Sequence, residues 1–374
     1  MQATIEEILS SYDDRAPLSQ ASTIPASWYI DPRVAELERL NVFSKTWQLV
    51  ARTGQLQNPG DFVTTRVAEE PIVVVRGSDG TLRAFYNVCR HHAAAVVTQS
   101  CGQASILQCP YHGWKYGLDG SLKGMPEFEG VADFNRADHG LVPIRVDTWE
   151  CFVFVNLDAE TIPLRDFLGG LVNRVAPLDI GNLHYFDRRT YDINCNWKVY
   201  VDNYLDGGYH VPHLHKGLSS VLDYKQYTIE NEDRYCLQSS PMVTSNEDAA
   251  TGATRKGDRA RYFWLYPNLM INCYEGYMDT NYVIPVDADH CRVIFDFYFS
   301  DVSESKRAYN TESVNVGNRV QDEDLGICED VQRGLKSRAY GAGRLSVRRE
   351  AGEQLFHQLL AADLKAQKPV FVVT

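Results

Sequence analysis

Residues 89–114, CRHHAAAVVTQSCGQASILQCPYHGW, contain the stretch that decides the fold of the first half of the chain. They pair a cysteine with a histidine twice: Cys89-x-His91 and, after seventeen intervening residues, Cys109-x2-His112. Structural zinc sites usually take two like ligands from each loop, whereas here each loop offers one thiolate and one imidazole. The mixed pattern favours a [2Fe-2S] cluster with one iron on two thiolates and the other on two imidazoles, and zinc is the alternative.

Short β-rich runs surround these two loops. DFVTTRV, PIVVVRG and LRAFYNV are separated by turn segments such as GSDGT, which is typical of antiparallel strands joined by hairpins. Further along, NWKVYVDNYLDGGYH predicts a helix that continues through its Gly-Gly pair, and residues 303–366 predict a helical tail. WLYPNLMINCYEGY, TNYVIPV and CRVIFDFYF predict strands between them. We therefore expect an α+β chain: an N-terminal β-sandwich domain, then a larger domain with an antiparallel sheet flanked by helices.

A second group of metal-binding residue types lies in DNYLDGGYHVPHLH, residues 202–215. His210 and His215 are five residues apart, with His213 between them. A non-haem Fe(II) site that activates oxygen needs two imidazoles and one carboxylate on one face, with the opposite positions open for O₂ and substrate. A redox cluster also needs an electron acceptor, which a second iron site would supply. The two groups together therefore predict an enzyme with two iron centres.

The Cys/His pattern with its CPYHGW segment, followed by a catalytic domain, resembles the α subunit of the Rieske non-haem iron oxygenases. The resemblance implies a helical segment over 1–45, a Rieske [2Fe-2S] domain over 46–160 and a mononuclear iron domain over 161–374. It implies a third iron ligand in the acidic segment VQDEDL, residues 320–325, where we predict Asp324 with Asp322 as the alternative. The implied ligands are Cys89, His91, Cys109 and His112 for the cluster, and His210, His215 and Asp324 for the Fe(II).

The family also has a carboxylate that bridges the neighbouring subunit's Rieske histidine to an iron-ligand histidine, in the pattern Asn-x3-Asp-x2-His-x4-His. Asn203, His210 and His215 fit this spacing, but the acid position falls on Gly207. We predict that Asp206, one residue earlier, is the catalytic bridging acid, swung into place by a π-type bulge at the extra glycine. Asp202 is the alternative.

Longer strings, NYLDGGYHVPHLHKGLSS, YPNLMINCYEGYMDTN and EDLGICEDVQRGLKSRAY, are similar to the choline monooxygenases. This resemblance implies that O₂ and two externally supplied electrons hydroxylate choline to betaine aldehyde hydrate, in glycine betaine synthesis. Three alternatives stay open: demethylation or C–N cleavage of another quaternary amine such as betaine or carnitine, hydroxylation of an aromatic ring, and electron transfer without catalysis.

Aromatic residues are concentrated between positions 262 and 299. A trimethylammonium group has no N–H to donate, so proteins hold it over aromatic faces. We predict Trp264, Tyr274 and Tyr277 as substrate-binding residues, with Glu275 as a charge partner. The alternative is that aromatic residues at alternate strand positions are core.

Composition limits the partners and the compartment. The 374 residues carry 37 Lys+Arg and 49 Asp+Glu, a net charge of −12, which argues against nucleic acid and anionic membrane partners. We expect no membrane span and no signal or transit peptide, hence a cytoplasmic protein, or a stromal one if this is a mature plant form. The chain shows no flavin or nicotinamide fingerprint, so we expect a ferredoxin or flavin-containing reductase as electron donor. The family resemblance implies a homotrimer.

Besides Cys89 and Cys109, we expect the other seven of the nine cysteines to be packing residues.

Overall fold

The structure, a computed structural model, describes residues 3–244 and 247–366. It divides into two compact units, one of Arg39–Phe167 and one that joins the described residues of Met1–Glu38 to those of Leu168–Thr374. Residues up to Glu38, which make up most of the helical segment predicted over 1–45, therefore fall in the same unit as the second half of the chain.

The Arg39–Phe167 unit is built from short antiparallel strands. Its strands are β1 Gln48–Arg52, β2 Asp61–Val67, β3 Glu70–Arg76, β4 Leu82–Tyr86, β5 Cys101–Gln103, β6 Leu107–Gln108, β7 Lys115–Tyr116, β8 Leu122–Gly124, β9 Pro143–Trp149 and β10 Phe152–Asn156. Seven of them form a sheet in the order β1-β10-β9-β4-β3-β2-β5, and β6-β7-β8 form a second, smaller sheet. The β2–β3 hairpin turns on Ala68 and Glu69, whose φ angles of 49° and 67° are those of the tight turns that match strand twist.

Strand β3 shows how this unit is packed. Its residues Ile72, Val73, Val74 and Val75 are all 0% exposed, so both faces of the sheet are covered. Because side chains alternate along a strand, Ile72 and Val74 pack into one apolar cluster, and Val73 and Val75 pack into another. The second cluster also contains Cys89 and Cys109, so the core of the sheet holds the bases of both Cys/His loops.

The other unit contains one seven-stranded antiparallel sheet. Its strands are β11 His184–Ile193, β12 Thr228–Glu232, β13 Tyr235–Pro241, β14 Arg259–Leu265, β15 Leu269–Tyr274, β16 Tyr277–Pro285 and β17 Cys291–Phe299. The order is β11-β17-β16-β15-β14-β13-β12, so neighbours in sequence pair in a meander and β11 pairs with the last strand. Together with the helices below, this confirms the predicted fold class.

Helices pack on this sheet and hold the residues predicted to bind iron, within a helix or directly beside one. The α-helices of the described chain are α1 Ile5–Ser10, α2 Ala26–Ile30, α3 Pro32–Glu38, α4 Leu164–Leu168, α5 Leu171–Val175, α6 Trp197–Leu205, α7 Val211–Leu214, α8 Lys216–Ser220, α9 Ala249–Thr254, α10 Arg307–Leu335 and α11 Ala351–Ala366. A π-helical turn, Arg39–Phe43, follows α3. Within residues 3–244 and 247–366, no helix is both long and apolar enough to cross a membrane.

Helix α6 is anchored by a buried ion pair. Lys198 Nζ lies 2.6 Å from Glu38 Oε1, and Trp197 Nε1 donates to Glu38 Oε2 at 2.8 Å. The Lys198 and Glu38 side chains are 0% and 2% exposed. Removing either charge would leave the other buried and unpaired, so the pair holds α6 against α3.

The helix predicted through the Gly-Gly pair is wrong in its length, because α6 ends at Leu205. Gly207 and Gly208 have φ angles of 69° and 68°, a left-handed conformation that stops an α-helix. A Cβ atom on Gly207 would lie 2.0 Å from the Arg349 carbonyl oxygen, so only glycine fits there. The chain turns at this point and starts the short helix α7.

The cysteines follow the prediction with one exception. Of the seven not proposed as cluster ligands, Cys101 is exposed, contrary to the prediction that it packs in the core. It lies on β5, at the edge of its sheet, where side chains have less cover. The others, which are buried, are Cys151, Cys195, Cys236, Cys273, Cys291 and Cys328.

Candidate active site

The two Cys/His loops are closed by similar backbone hydrogen bonds. Cys89 N–H donates to the Ala94 carbonyl at 2.8 Å, and Cys109 N–H donates to the Trp114 carbonyl at 2.9 Å. Both cysteines are buried, and Tyr116 Oη lies 3.3 Å from Cys89 Sγ. Burial raises the pKa of the Cys109 thiol, and the neighbouring Cys89 thiol raises it further. Two thiols held side by side in this way are suited to bind one iron.

The histidines of the loops face each other. The ring centroids of His91 and His112 are 4.7 Å apart, and His91 stacks on Trp114 at 4.7 Å and 6°. His91 Nδ1 is buried and has no hydrogen-bond partner among the described residues. Ligand nitrogens of His91, His92 and His112 lie within 4.8 Å of one another. A paired set of thiols and imidazoles with an unused ring nitrogen fits a [2Fe-2S] cluster held by the four predicted residues.

The second site brings His210, His215 and Asp324 together. His215 Nε2 lies 3.0 Å from Asp324 Oδ1, and His210 Nε2 lies 3.9 Å from the same oxygen. His210 precedes α7 and His215 follows it, while Asp324 lies in α10. The alternative ligand Asp322 and the intervening His213 are exposed and do not join the group.

The other ring nitrogen of each histidine is held by a carboxylate. His210 Nδ1 lies 2.6 Å from Asp206 Oδ2, and His215 Nδ1 lies 2.6 Å from Glu323 Oε2. Metal-ligating histidines characteristically engage a carboxylate in this way, which orients the ring and leaves Nε2 for the metal. The donor set therefore fits one Fe(II). Glu323 was missed by the sequence analysis, although it lies within the acidic segment VQDEDL.

Asp206 reaches His210 without the predicted π-type bulge. Because α6 ends at Leu205, the Asp206 carboxylate also accepts the backbone N–H groups of Tyr209 at 3.0 Å and His210 at 2.9 Å. The alternative acid, Asp202, lies one turn earlier and contacts His357 Nε2 at 2.9 Å instead. The bridging role of Asp206 stays a prediction, since the partner subunit that it would face is outside this chain.

A cavity opens beside the three candidate iron ligands. Its walls come from α6, α7, α10 and the sheet. They contain many tyrosine and amide side chains and a few charged ones. Among the lining residues are Tyr200, Tyr204, Tyr227, Tyr262, Tyr274, Asn203, Asn272, Asn281, Gln238, Gln321, Arg255 and Asp279, together with His210, His215 and Asp324.

Asp279 is the cavity acid that does not belong to the iron-ligand group. Tyr277 Oη donates to Asp279 Oδ1 at 2.6 Å, and Asn272 Nδ2 donates to Asp279 Oδ2 at 2.7 Å. Burial raises the pKa of this carboxyl, while the Arg255 charge and the two hydrogen bonds act in the opposite direction. The two donors fix the position of the carboxylate in the cavity wall.

The structure brings only one of the three predicted substrate residues, Tyr274, to this cavity, and its hydroxyl lies 2.9 Å from that of Tyr262. Trp264 is on the same face of β14 as Tyr262, but two residues further along. There it packs against Phe356 of α11, with centroids 5.6 Å apart, and is 0% exposed. Tyr277 is not among the lining residues.

Several cavity residues were not predicted from the sequence. Glu275, the predicted charge partner, is exposed, whereas Asp279 lies in the wall. Tyr204 of α6 and Tyr227, which directly precedes β12, line the cavity, as does Arg255. No sequence signal singled them out, because Tyr204, Tyr227 and Arg255 lie outside the aromatic-rich segment 262–299 and Asp279 is not aromatic.

Comparison with known proteins identifies both domains. Residues 46–135 match the family described as the Rieske [2Fe-2S] domain, and residues 180–366 match the catalytic domain of the ring hydroxylating alpha subunit. The chloroplastic choline monooxygenase of Arabidopsis thaliana is 38% identical over 372 residues, covering 96% of this chain and 87% of that protein. The carnitine monooxygenase oxygenase subunit of Escherichia coli (strain K12) is 35% identical over 363 residues, covering 92% of this chain and 95% of that protein.

Solved structures of similar fold support the same family assignment. The crystal structure of the quaternary ammonium Rieske monooxygenase CntA in complex with L-carnitine superimposes with a TM-score of 0.81 at 31% identity, covering 97% of this chain and 99% of that one. Naphthalene 1,2-dioxygenase from Rhodococcus sp., at 20% identity and a TM-score of 0.77, shares the fold. The predicted family and cofactors are thereby confirmed: the chain belongs to the Rieske non-haem iron oxygenases, with a [2Fe-2S] domain followed by a mononuclear iron catalytic domain.

Proposed function

We propose that this oxygenase hydroxylates a small quaternary ammonium compound, and that choline, converted to betaine aldehyde hydrate, is its first candidate substrate. The observation that carries the proposal is the tyrosine-lined cavity beside His210, His215 and Asp324. Two relatives, a choline monooxygenase and a carnitine monooxygenase oxygenase subunit, support the same substrate class.

The cavity walls suit a trimethylammonium group. Each contact between a cation and an aromatic face contributes roughly 0.5–2 kcal/mol, and Tyr204, Tyr227 and Tyr274 all line the cavity. An ionised Asp279 would add an opposite charge at a fixed place. A flat aromatic hydrocarbon would gain nothing from that carboxylate, so the cavity favours a cation over an aromatic-ring substrate.

The residues beside the cavity have separate roles in the proposed hydroxylation: some would bind the iron and others orient its ligands. The iron, when bound, activates O₂, and the reaction consumes two electrons and two protons, placing one oxygen atom in the substrate and the other in water. His210, His215 and Asp324 would hold that iron, while Asp206 and Glu323 keep both imidazole rings oriented. Asn203 Nδ2 donates to Asp324 Oδ1 at 2.9 Å and so positions the third ligand.

The four Cys/His residues of the Rieske domain would hold the cluster that stores one electron at a time. We propose a ferredoxin or a flavin-containing reductase as the donor to this cluster. We also propose a homotrimer, in which Asp206 faces the cluster domain of the neighbouring subunit.

The test is aerobic turnover with an added reductase over a panel of quaternary amines, with mass spectrometry of the products. Betaine aldehyde from choline supports the proposed reaction, formaldehyde indicates N-demethylation, and trimethylamine indicates C–N cleavage. The matched control is neopentyl carbinol, in which a carbon replaces the choline nitrogen. Turnover of an aromatic hydrocarbon, with no product from any quaternary amine, would contradict the proposal.

A further inference from the structure

Gln321 has a buried amide group in the wall of the active-site cavity. It lies in α10 and is 1% exposed. Tyr200 Oη, from α6, donates to Gln321 Oε1 at 2.6 Å. No described residue accepts a hydrogen bond from Gln321 Nε2, although that nitrogen is buried. One end of the amide is therefore held in place, while the two N–H groups at its other end have no acceptor.

The unpaired amide nitrogen of Gln321 is unfavourable in the protein alone. A buried N–H group that has lost its hydrogen bonds to water and gained none in return makes the folded state less stable. Native proteins leave few such groups unpaired, and an exception calls for an explanation. Because Gln321 lines a cavity, a molecule bound there can supply the missing acceptor. Gln321 is thus suited to bind an oxygen atom of the substrate.

The position of Gln321 in α10 connects it with the candidate iron ligands. It precedes Asp324 by three residues, and residues three apart lie on the same face of a helix. Both residues are buried, and both line the cavity. A group bound to the Gln321 amide would therefore lie on the side of the cavity that holds the iron ligands.

The proposed reaction places a hydroxyl group on that same side. In choline, the carbon to be hydroxylated already carries a hydroxyl, and this carbon has to approach the iron. The hydroxyl oxygen can accept a hydrogen bond from an amide N–H, whereas the trimethylammonium group has no acceptor atom. The two ends of choline therefore need different walls: aromatic faces for the ammonium and an amide donor for the hydroxyl.

We propose that Gln321 is a specificity-determining residue, which binds the hydroxyl oxygen of the substrate through Nε2 and so holds the alcohol carbon beside the iron ligands. The cavity then prefers a quaternary amine that ends in a hydroxyl group to one of the same shape that ends in a methyl group. This inference rests on the proposed quaternary-amine function, and it names the residue that recognises the second end of the substrate.

Among the described residues that line the cavity, Asn281 also has a buried amide nitrogen without a partner. Its Oδ1 accepts a hydrogen bond from Asn272 Nδ2 at 3.0 Å. Asn281 lies on strand β16, two residues after Asp279, and not on the helix that carries an iron ligand. We therefore assign the hydroxyl to Gln321, and Asn281 provides a comparison within the same cavity.

The test is anaerobic calorimetry on the iron-loaded enzyme with three matched ligands. Choline carries the ammonium and the hydroxyl, propyltrimethylammonium has a methyl group in place of the hydroxyl, and neopentyl carbinol has a carbon in place of the nitrogen. The ratio of the dissociation constants of propyltrimethylammonium and choline measures recognition of the hydroxyl. The ratio for neopentyl carbinol and choline measures recognition of the cation, so a failure of the inference is distinguishable from a failure of the proposed function.

In the wild type we expect choline to bind about 3- to 10-fold more tightly than propyltrimethylammonium, as one hydrogen bond between neutral groups predicts. In Gln321→Met, which keeps the length of the side chain and removes its N–H groups, this advantage should disappear while the preference for choline over neopentyl carbinol remains. Gln332→Met is the matched control. Gln332 is also a buried glutamine of α10, but it donates to Asp289 Oδ1 at 2.8 Å and is not among the lining residues, so this variant should keep the wild-type ratio.

Equal binding of choline and propyltrimethylammonium by the wild type would overturn the inference and leave the proposed function intact. An undiminished advantage of choline in Gln321→Met would overturn it as well. So would a loss of the advantage in Asn281→Leu alone, which would assign the hydroxyl to the other amide. If Gln321→Met does not fold, the wild-type comparison still decides, and Gln321→Leu provides a second variant without the N–H groups.

Discussion

Replacement of Asp206 by asparagine tests the predicted role of this residue as the carboxylate that bridges His210 to the Rieske histidine of the neighbouring subunit. The Asp206 carboxylate accepts three hydrogen bonds: from His210 Nδ1 at 2.6 Å, His210 N–H at 2.9 Å and Tyr209 N–H at 3.0 Å. Asparagine keeps one acceptor oxygen and turns an NH₂ group towards groups that are themselves donors. At least one hydrogen bond to a charged acceptor is lost, and the His210 ring loses its orienting partner.

The expected effect follows from these contacts. A hydrogen bond to a charged group contributes about 1.5–3 kcal/mol, and removal of a carboxylate partner of a metal-ligating histidine typically lowers affinity or activity about 10- to 100-fold. We therefore expect Asp206→Asn to lower turnover at least 10-fold. This loss corresponds to about the free energy that one hydrogen bond to a charged group contributes. The visible spectrum of the [2Fe-2S] cluster should not change, because Asp206 lies outside the Cys/His loops.

The assay compares turnover of a quaternary amine, iron content and the cluster spectrum in the wild type and two variants. Asp202→Asn is the matched control: it lies on the same helix one turn earlier and contacts His357 instead of His210. Near-normal turnover in Asp206→Asn would refute the reasoning. A large loss confined to Asp202→Asn would move the bridging role to Asp202.

Two predictions concern stability. Lys198→Met leaves Glu38 buried and unpaired, so we expect a loss of about 3–5 kcal/mol in the free energy of unfolding, measured by urea denaturation. Lys198→Met combined with Glu38→Leu should recover most of it, and equal losses in the single and double variants would contradict this. Burial raises the pKa of Glu353 above its ordinary 4.5, with the nearby Asp202 adding to the shift. The folded state then holds a proton that the unfolded state releases, so stability falls as pH rises from 4.5 towards the folded pKa. Glu353→Gln should raise Tm more at about pH 8 than at about pH 5, whereas Glu304→Gln, at a side chain 86% exposed, should not.

The two iron sites differ in how far sequence reasoning could identify them. Cys89 with His91, and Cys109 with His112, are each contained in one tight loop, so local spacing alone indicates a metal-binding pair. Asp324 lies more than a hundred residues after His215, and only the family resemblance pointed to it. Glu323, its neighbour in sequence, was overlooked because the sequence VQDEDL does not show which of its acids face His215.

The substrate cavity was the least predictable part. The alternation of side chains along β14 indicates that Tyr262 and Trp264 share a face, but not that α11 covers the second of them. Arg255, Tyr204 and Tyr227 come from separate elements that meet only in the folded chain. The many aromatic residues of segment 262–299 therefore indicated that strands form part of the cavity wall, but not which aromatic rings reach the cavity.

The sequence by itself determined the family, the two-domain order, the cofactor chemistry and the alternating core of strands such as β3, because these depend on ligand spacing and side-chain period within short stretches. Only the tertiary structure decided that α6 stops before Gly207, that Asp206 and not Asp202 meets His210, and that an arginine without an ion-pair partner within 4.0 Å among the described residues lies in the cavity wall. The reason is physical: these features depend on which elements pack against one another, and packing joins residues whose separation along the chain carries no signal.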